Sequence, residues 1–188
     1  MDDELTAAVI AGYHEMFDEP DHIAPADEHA VFLLYLAPER AQDPDEDTTL
    51  LWTAGLSAHP NFRDHPCELS ISIAGRPDDA WPAAMAASLA ELGSAPARTG
   101  EPYEAGQILT GVTLPGFSRF SSVMLLDWGV TYGVELSVPG RDMGLVRVIP
   151  LFPSEAAFIE GSSDRTRAYH SLRNRPMREA DPDREPAV

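Results

Sequence analysis

Cys67-Glu68-Leu69-Ser70-Ile71-Ser72-Ile73-Ala74 runs directly into Gly75-Arg-Pro-Asp78-Asp79-Ala-Trp81-Pro82, and the two pieces together decide the class of fold. Along 67–74, Leu69, Ile71 and Ile73 alternate with Glu68, Ser70 and Ser72, the two-residue period of a strand. The polar set predicts that one face of this strand is solvated. Beyond it, Asp78 or Asp79 stands where a helix N-cap belongs, and Pro82 suits the first turn. The Ala-rich run that follows puts Met85, Leu89 and Leu92 on one stripe and predicts a helix with its stop at Gly93.

Toward the N-terminus, Thr48–Ser57 reads as a second strand, rich in Leu and Thr and carrying Trp52. Residues 30–37 are a continuous apolar run that suits a strand buried on both faces, closed by Pro38. Residues 4–17 carry Leu5, Val9 and Tyr13 on one helical face, extended by Met16 and Phe17; Asp2 and Asp3 suit the start and Pro20 the end. Toward the C-terminus, residues 94–106 read as a loop. Strand-like runs follow at 107–114, 121–128, 132–138 and 144–151, and Pro153 opens a short helix that Gly161 stops. About seven strands and three or four helices result. Because the strands come in runs and do not alternate strictly with helices, the expected class is α+β, a mixed and mainly antiparallel sheet with flanking helices. Residues 1–161 form the expected domain. Residues 162–188 form a polar tail, with one weak helix to about residue 175 and a Pro- and charge-rich stretch over 176–188 that reads as disordered.

The chain has 188 residues and a net charge of −18, from 31 acids against 13 basic residues, every one of them Arg. Fourteen of the acids lie in residues 1–50, opposed only by Arg40, whereas residues 160–188 balance six against six. Such a field repels phosphate and so disfavours nucleic acid and anionic membranes; it favours a basic protein partner. The loop acids Glu39, Asp43, Asp45, Glu46 and Asp47 are the expected contact residues. The single cysteine, Cys67, excludes an internal disulfide framework. The acidic start Met1-Asp-Asp-Glu4 is unlike a signal peptide, and no apolar run is long enough to span a bilayer, so the expected location is cytoplasmic.

Candidate chemistry is sparse. Ser57 and His59 would share a strand face, but no Gly-x-Ser-x-Gly elbow is present. His59, His65 and Cys67 fall short of a four-ligand zinc set and lack a Cys-x-x-Cys pair. Cys67 beside Glu68 lacks the cationic setting of a reactive thiolate. No glycine-rich phosphate loop occurs. The reading is therefore of no catalytic, cofactor-binding or metal-binding residues.

One constellation is more specific. Trp52-Thr-Ala-Gly55-Leu-Ser57-Ala-His-Pro60 is followed by the Glu68-Leu strand, then by Trp81-Pro opening a helix, and much later by Val148-Ile-Pro150-Leu-Phe-Pro-Ser-Glu155 leading into Phe158-Ile-Glu-Gly161. In order and spacing this resembles the suppressor-of-fused-like domain in its bacterial form, over about residues 30–161. Leu56 replaces the usual Met, and the second domain of the animal protein is missing. The resemblance implies an α+β fold without recognised enzymatic activity, and family-motif positions Trp52, Gly55, Ser57, Pro60, Glu68, Trp81, Pro150 and Glu155 that serve structure. It also implies a protein-binding role, in bacteria that of an immunity protein neutralising a basic toxin domain. The alternatives are a general regulatory or scaffolding domain and a hydrolase using Ser57, His59 or Glu155.

Overall fold

The computed structural model describes residues 3–26, 28, 30–38, 47–63, 65–129, 136–138, 140–173 and 178–188. Among them run α1 (Asp3–Met16), β1 (His22–Pro25), β2 (Val31–Tyr35), β3 (Thr48–Ala54), β4 (Cys67–Ala74), α2 (Trp81–Thr99), β5 (Ile108–Thr110), β6 (Ser122–Asp127), β7 (Leu136–Val138), β8 (Arg141–Leu151), α3 (Pro153–Glu160) and α4 (Arg165–Arg173), with a 3-10 turn at Leu56–Ala58. The sheet order is β1-β2-β3-β4-β8-β6-β5, and β7 pairs with the start of β8. Only β4 and β8 pair in parallel among these strands; the rest are antiparallel. This is the mixed, mainly antiparallel α+β arrangement that the clustering of strands implied.

The period of each strand sorts its side chains between two apolar layers. Leu69, Ile71 and Ile73 of β4 join Leu51, Val123, Leu125, Val146 and Val148 under Trp81, Met85 and Leu89 of α2. The opposite face carries two separate cores. Leu5, Val9 and Tyr13 of α1 cover Leu33, Trp52, Leu145 and the β7 hairpin. Ala156, Ile159, Tyr169 and Leu172 of α3 and α4 cover Met124, Leu126, Ile149 and Leu151. The seam between these two cores is polar, and β4 runs along it.

Several expectations change at this level. The strand over 67–74 is not half solvated: Glu68, Ser70 and Ser72 are all buried. They face the polar seam, where Ser70 Oγ donates to Val146 O and Arg147 to Ser72 Oγ. The helix does not stop at Gly93. A Cβ there would come within 2.5 Å of Leu56 Cδ1, so this glycine serves close packing and no turn. The helix continues to Thr99, where Gly100 takes a left-handed φ of 73°. Pro96 sits in its last turns and cannot donate to Leu92 O; that carbonyl instead accepts Tyr103 OH at 2.9 Å. The run over 48–57 is a strand only to Ala54, because Gly55 turns the chain at φ 115°. Of the strand expected over 132–138, residues 132–135 lie outside the described residues.

The largest departure is the C-terminus. Residues 178–188, inside the stretch read as disordered, lie against the body. Ala180 O accepts Ala74 N, Glu179 meets Tyr169 OH, Arg147 and Arg173, and Arg184 is only 6% exposed. Pro and charge content predicted disorder for this stretch; the contacts it makes here come largely from charged side chains, which composition does not reveal.

Candidate functional site

The motif residues converge in pairs that are distant in sequence. Gly55 can adopt its left-handed turn because it lacks a Cβ. The turn aims three successive backbone N–H groups back at β4. There, Glu68 Oε1 accepts Gly55 N at 2.9 Å and Ser57 N at 3.0 Å, and Oε2 accepts Leu56 N at 3.3 Å. The hydroxyls of Ser57 and Thr53 add bonds of 2.5 and 2.8 Å. Glu68 is fully buried. Burial pushes its carboxyl above the usual range, while the Ser57, Gly55 and Thr53 donors pull in the opposite sense. The cage thus ties the end of β3 to β4, and its hydrogen bonds leave Ser57 no free hydroxyl proton.

A second buried carboxylate, Glu155, sits at the start of α3. Its Oε2 accepts Phe152 N at 3.0 Å, closing the helix start, and both oxygens meet the guanidinium of Arg184 at 2.5 and 2.8 Å. Pro150, in β8 beyond the last residue paired with β4, gives its carbonyl to Arg184 at 3.1 Å. Trp52 packs against Tyr13, Phe17 and Trp128, with centroids 5.4, 5.1 and 5.5 Å away. Trp81 is buried and donates Nε1–H to Pro115 O at 3.0 Å. Pro60 is exposed. Each of these positions except Pro60 is engaged in packing or internal hydrogen bonding.

The groups offered for hydrolysis do not meet. Ser57 bonds Glu68, Glu155 bonds Arg184, and His59 is exposed at the end of the 3-10 turn. His65 Nε2 lies 3.2 Å from Asp127 Oδ2. Cys67 is buried, and its thiol is pushed well up by burial and by Asp127, the opposite of an activated nucleophile. Among the described residues, no group of three or more His, Cys, Asp or Glu is placed to hold a metal. No described helix is long and apolar enough to cross a membrane.

The surface offers two features. Glu39, Asp43, Asp45 and Glu46 lie outside the described residues. Asp47 is exposed, and its carbonyl accepts Gly75 N at 2.9 Å. Asp47 directly precedes β3, at the end of the sheet where β2 ends. Asp21, whose N–H reaches Leu34 O, stands at the same end of the sheet. Asp18, Glu19 and Asp21 are all exposed there, beside the outermost strand β1. At the other edge, a cleft of about 720 Å³ opens beside β5, lined by Thr99, Glu101, Tyr103, Gln107, Leu109 and Arg165 among others. Sequence reasoning missed this cleft and the role of Arg184; neither has a local pattern that would flag it.

No protein-family model and no curated protein matches the sequence. Solved structures do match in fold. A suppressor-of-fused homologue from Neisseria gonorrhoeae FA 1090 superposes with a TM-score of 0.67 at 12% identity, over 98% of this chain and 97% of that one. A chain of the Sufu–Fu complex gives 0.68 at 14% identity, over 96% of this chain and 91% of that one. Drosophila Suppressor of Fused gives 0.62 at 14% identity, over 90% of this chain but 46% of its own. The chain therefore has the suppressor-of-fused fold and spans less than half of the Drosophila protein.

Proposed function

We propose that this suppressor-of-fused-like chain is a non-catalytic protein-binding domain that captures a basic protein. The observation that carries the reading is the gathering of exposed acids, Asp18, Glu19, Asp21 and Asp47, at one end of the sheet beside the edge strand β1. Two further facts support it. The buried carboxylates Glu68, Glu155 and Glu179 are each consumed by partners within the chain. The same fold occurs in the Sufu–Fu complex, a protein–protein assembly.

The partner class that best complements a net charge of −18 is a toxin domain with a basic substrate cleft, which this chain would cover and neutralise as an immunity protein. Electrostatics at such a contact chiefly raises the association rate and sets specificity. The test is co-expression with the products of neighbouring genes, followed by titration calorimetry at two salt concentrations. A one-to-one complex that weakens about tenfold or more as ionic strength rises several-fold is expected. Neutralising Asp18, Glu19 and Asp21 to their amides should slow association. Absence of any complex, or one indifferent to salt, would sink the proposal; a complex without protection would favour the scaffolding reading.

A further inference from the structure

The C-terminal segment is held in an unusual way for a terminal strand of chain. Beyond Ala180 no described residue belongs to a sheet or helix; Glu179 and Ala180 tie the start of the segment to the body, Ala187 N and Val188 O bond Glu155 and Ser154 at its end, and between them one side chain is deeply inserted. The Arg184 guanidinium lies over the paired rings of Phe120 and Phe152, 4.9 and 5.0 Å from their centroids, which are themselves 4.4 Å apart. It forks onto both oxygens of Glu155 and reaches Pro150 O. Arg119 reads the flanking backbone through Asp183 O and Arg184 O and pairs with Glu185 at 3.0 Å.

The receiving groups are set by rigid parts of the fold. Pro150 belongs to β8. Glu155 is also held by the helix it sits on, through the bond its Oε2 accepts from Phe152 N at 3.0 Å. An aromatic floor, a buried bidentate carboxylate and a carbonyl are the chemistry of arginine recognition, and they would read lysine poorly. The fit of Arg184 is also incomplete, because its Nε is buried without a hydrogen-bond partner.

We propose that Arg119, Phe120, Pro150, Phe152 and Glu155 form an arginine-reading pocket, that residues 178–188 are its intramolecular occupant, and that an arginine-bearing extended segment of the basic partner displaces them. The last step rests on the function proposed above; the pocket and its occupant do not. A tethered ligand competes at an effective concentration near the millimolar range, so the segment acts as an autoinhibitory plug that only a well-matched arginine can replace.

The experiment uses the full chain carrying Arg184→Ala and a synthetic peptide of residues 178–188, monitored by calorimetry and circular dichroism. The peptide is expected to bind this variant at least about tenfold more tightly than it binds the parent, whose pocket is filled. The same peptide with Arg184→Lys should bind about tenfold more weakly than the unmodified one. Should the variant be unfolded alone, the peptide must restore its folded signal. Neither binding nor restoration, or equal binding after Glu155→Gln is added to the variant, would overturn the pocket. A salt-sensitive partner complex that saturating peptide leaves intact would overturn the displacement step alone. Peptide binding with no basic partner found would leave the pocket standing and remove the function.

Discussion

Glu68 and Glu155 are both fully buried carboxylates in the same small domain, and they are accommodated by opposite means. Among the described residues, no cation pairs with Glu68. Its charge is met by backbone N–H groups and hydroxyls that a single left-handed glycine turn delivers. Glu155 faces a guanidinium brought from 29 residues away. A cage of dipoles is local and needs only Gly55 and its neighbours, whereas an ion pair needs a distant segment to fold back. The first joins β3 to β4; the second makes the C-terminus part of the body.

The contrast can be broken most severely at the ion pair. Glu155→Gln leaves Arg184 with an uncompensated charge in a site where it is 6% exposed. Removing one partner of a buried pair should cost about 3–5 kcal/mol, read as a shift in the urea midpoint, and should release residues 178–188 to rapid proteolysis. A loss near zero would show that the segment is not anchored there.

Glu68→Gln tests the cage. An amide offers one acceptor oxygen to donors that now surround two, and turns an N–H₂ toward others, so a loss of about 2 kcal/mol is expected. This deficit should depend on pH. The folded carboxyl lies above its ordinary value of 4.5 because of burial. The stability it contributes is complete below that value and is lost as pH rises through the folded pKa, while the amide has no proton to lose. The gap between parent and variant is therefore widest below pH 4.5 and narrows as pH rises above it. A gap that widens with pH would mean that the donors outweigh burial. Ser57→Ala is the mildest change, because Glu68 keeps its backbone donors; about 1 kcal/mol is expected by thermal melting. A hydrolase using Ser57 would instead lose all turnover with little change in stability.

Much of this was legible in advance. The two-residue period of 67–74 and the Asp78–Pro82 start placed β4 and α2, and the order of Gly55, Ser57, Glu68, Trp81, Pro150 and Glu155 pointed to the fold that the solved structures share. The solvent exposure of β4 was misread because alternation separates two faces without saying what covers either. Glu68, Ser70 and Ser72 looked like a wet face and are a buried seam. Gly93 was misread as a stop because a glycine needed for contact with Leu56 looks the same in sequence as one needed for a turn. Arg184 sits in a Pro-rich, charged stretch without periodicity, so nothing local marked it as an anchor.

The sequence by itself determined the α+β class, most element positions and the acidic field, because periodicity, turn chemistry and net charge are properties of neighbouring residues or of simple sums. Tertiary structure alone decided which polar side chains would be buried and with whom. Desolvation and ion pairing depend on groups that meet only after the chain has folded, as Arg184 does with Glu155.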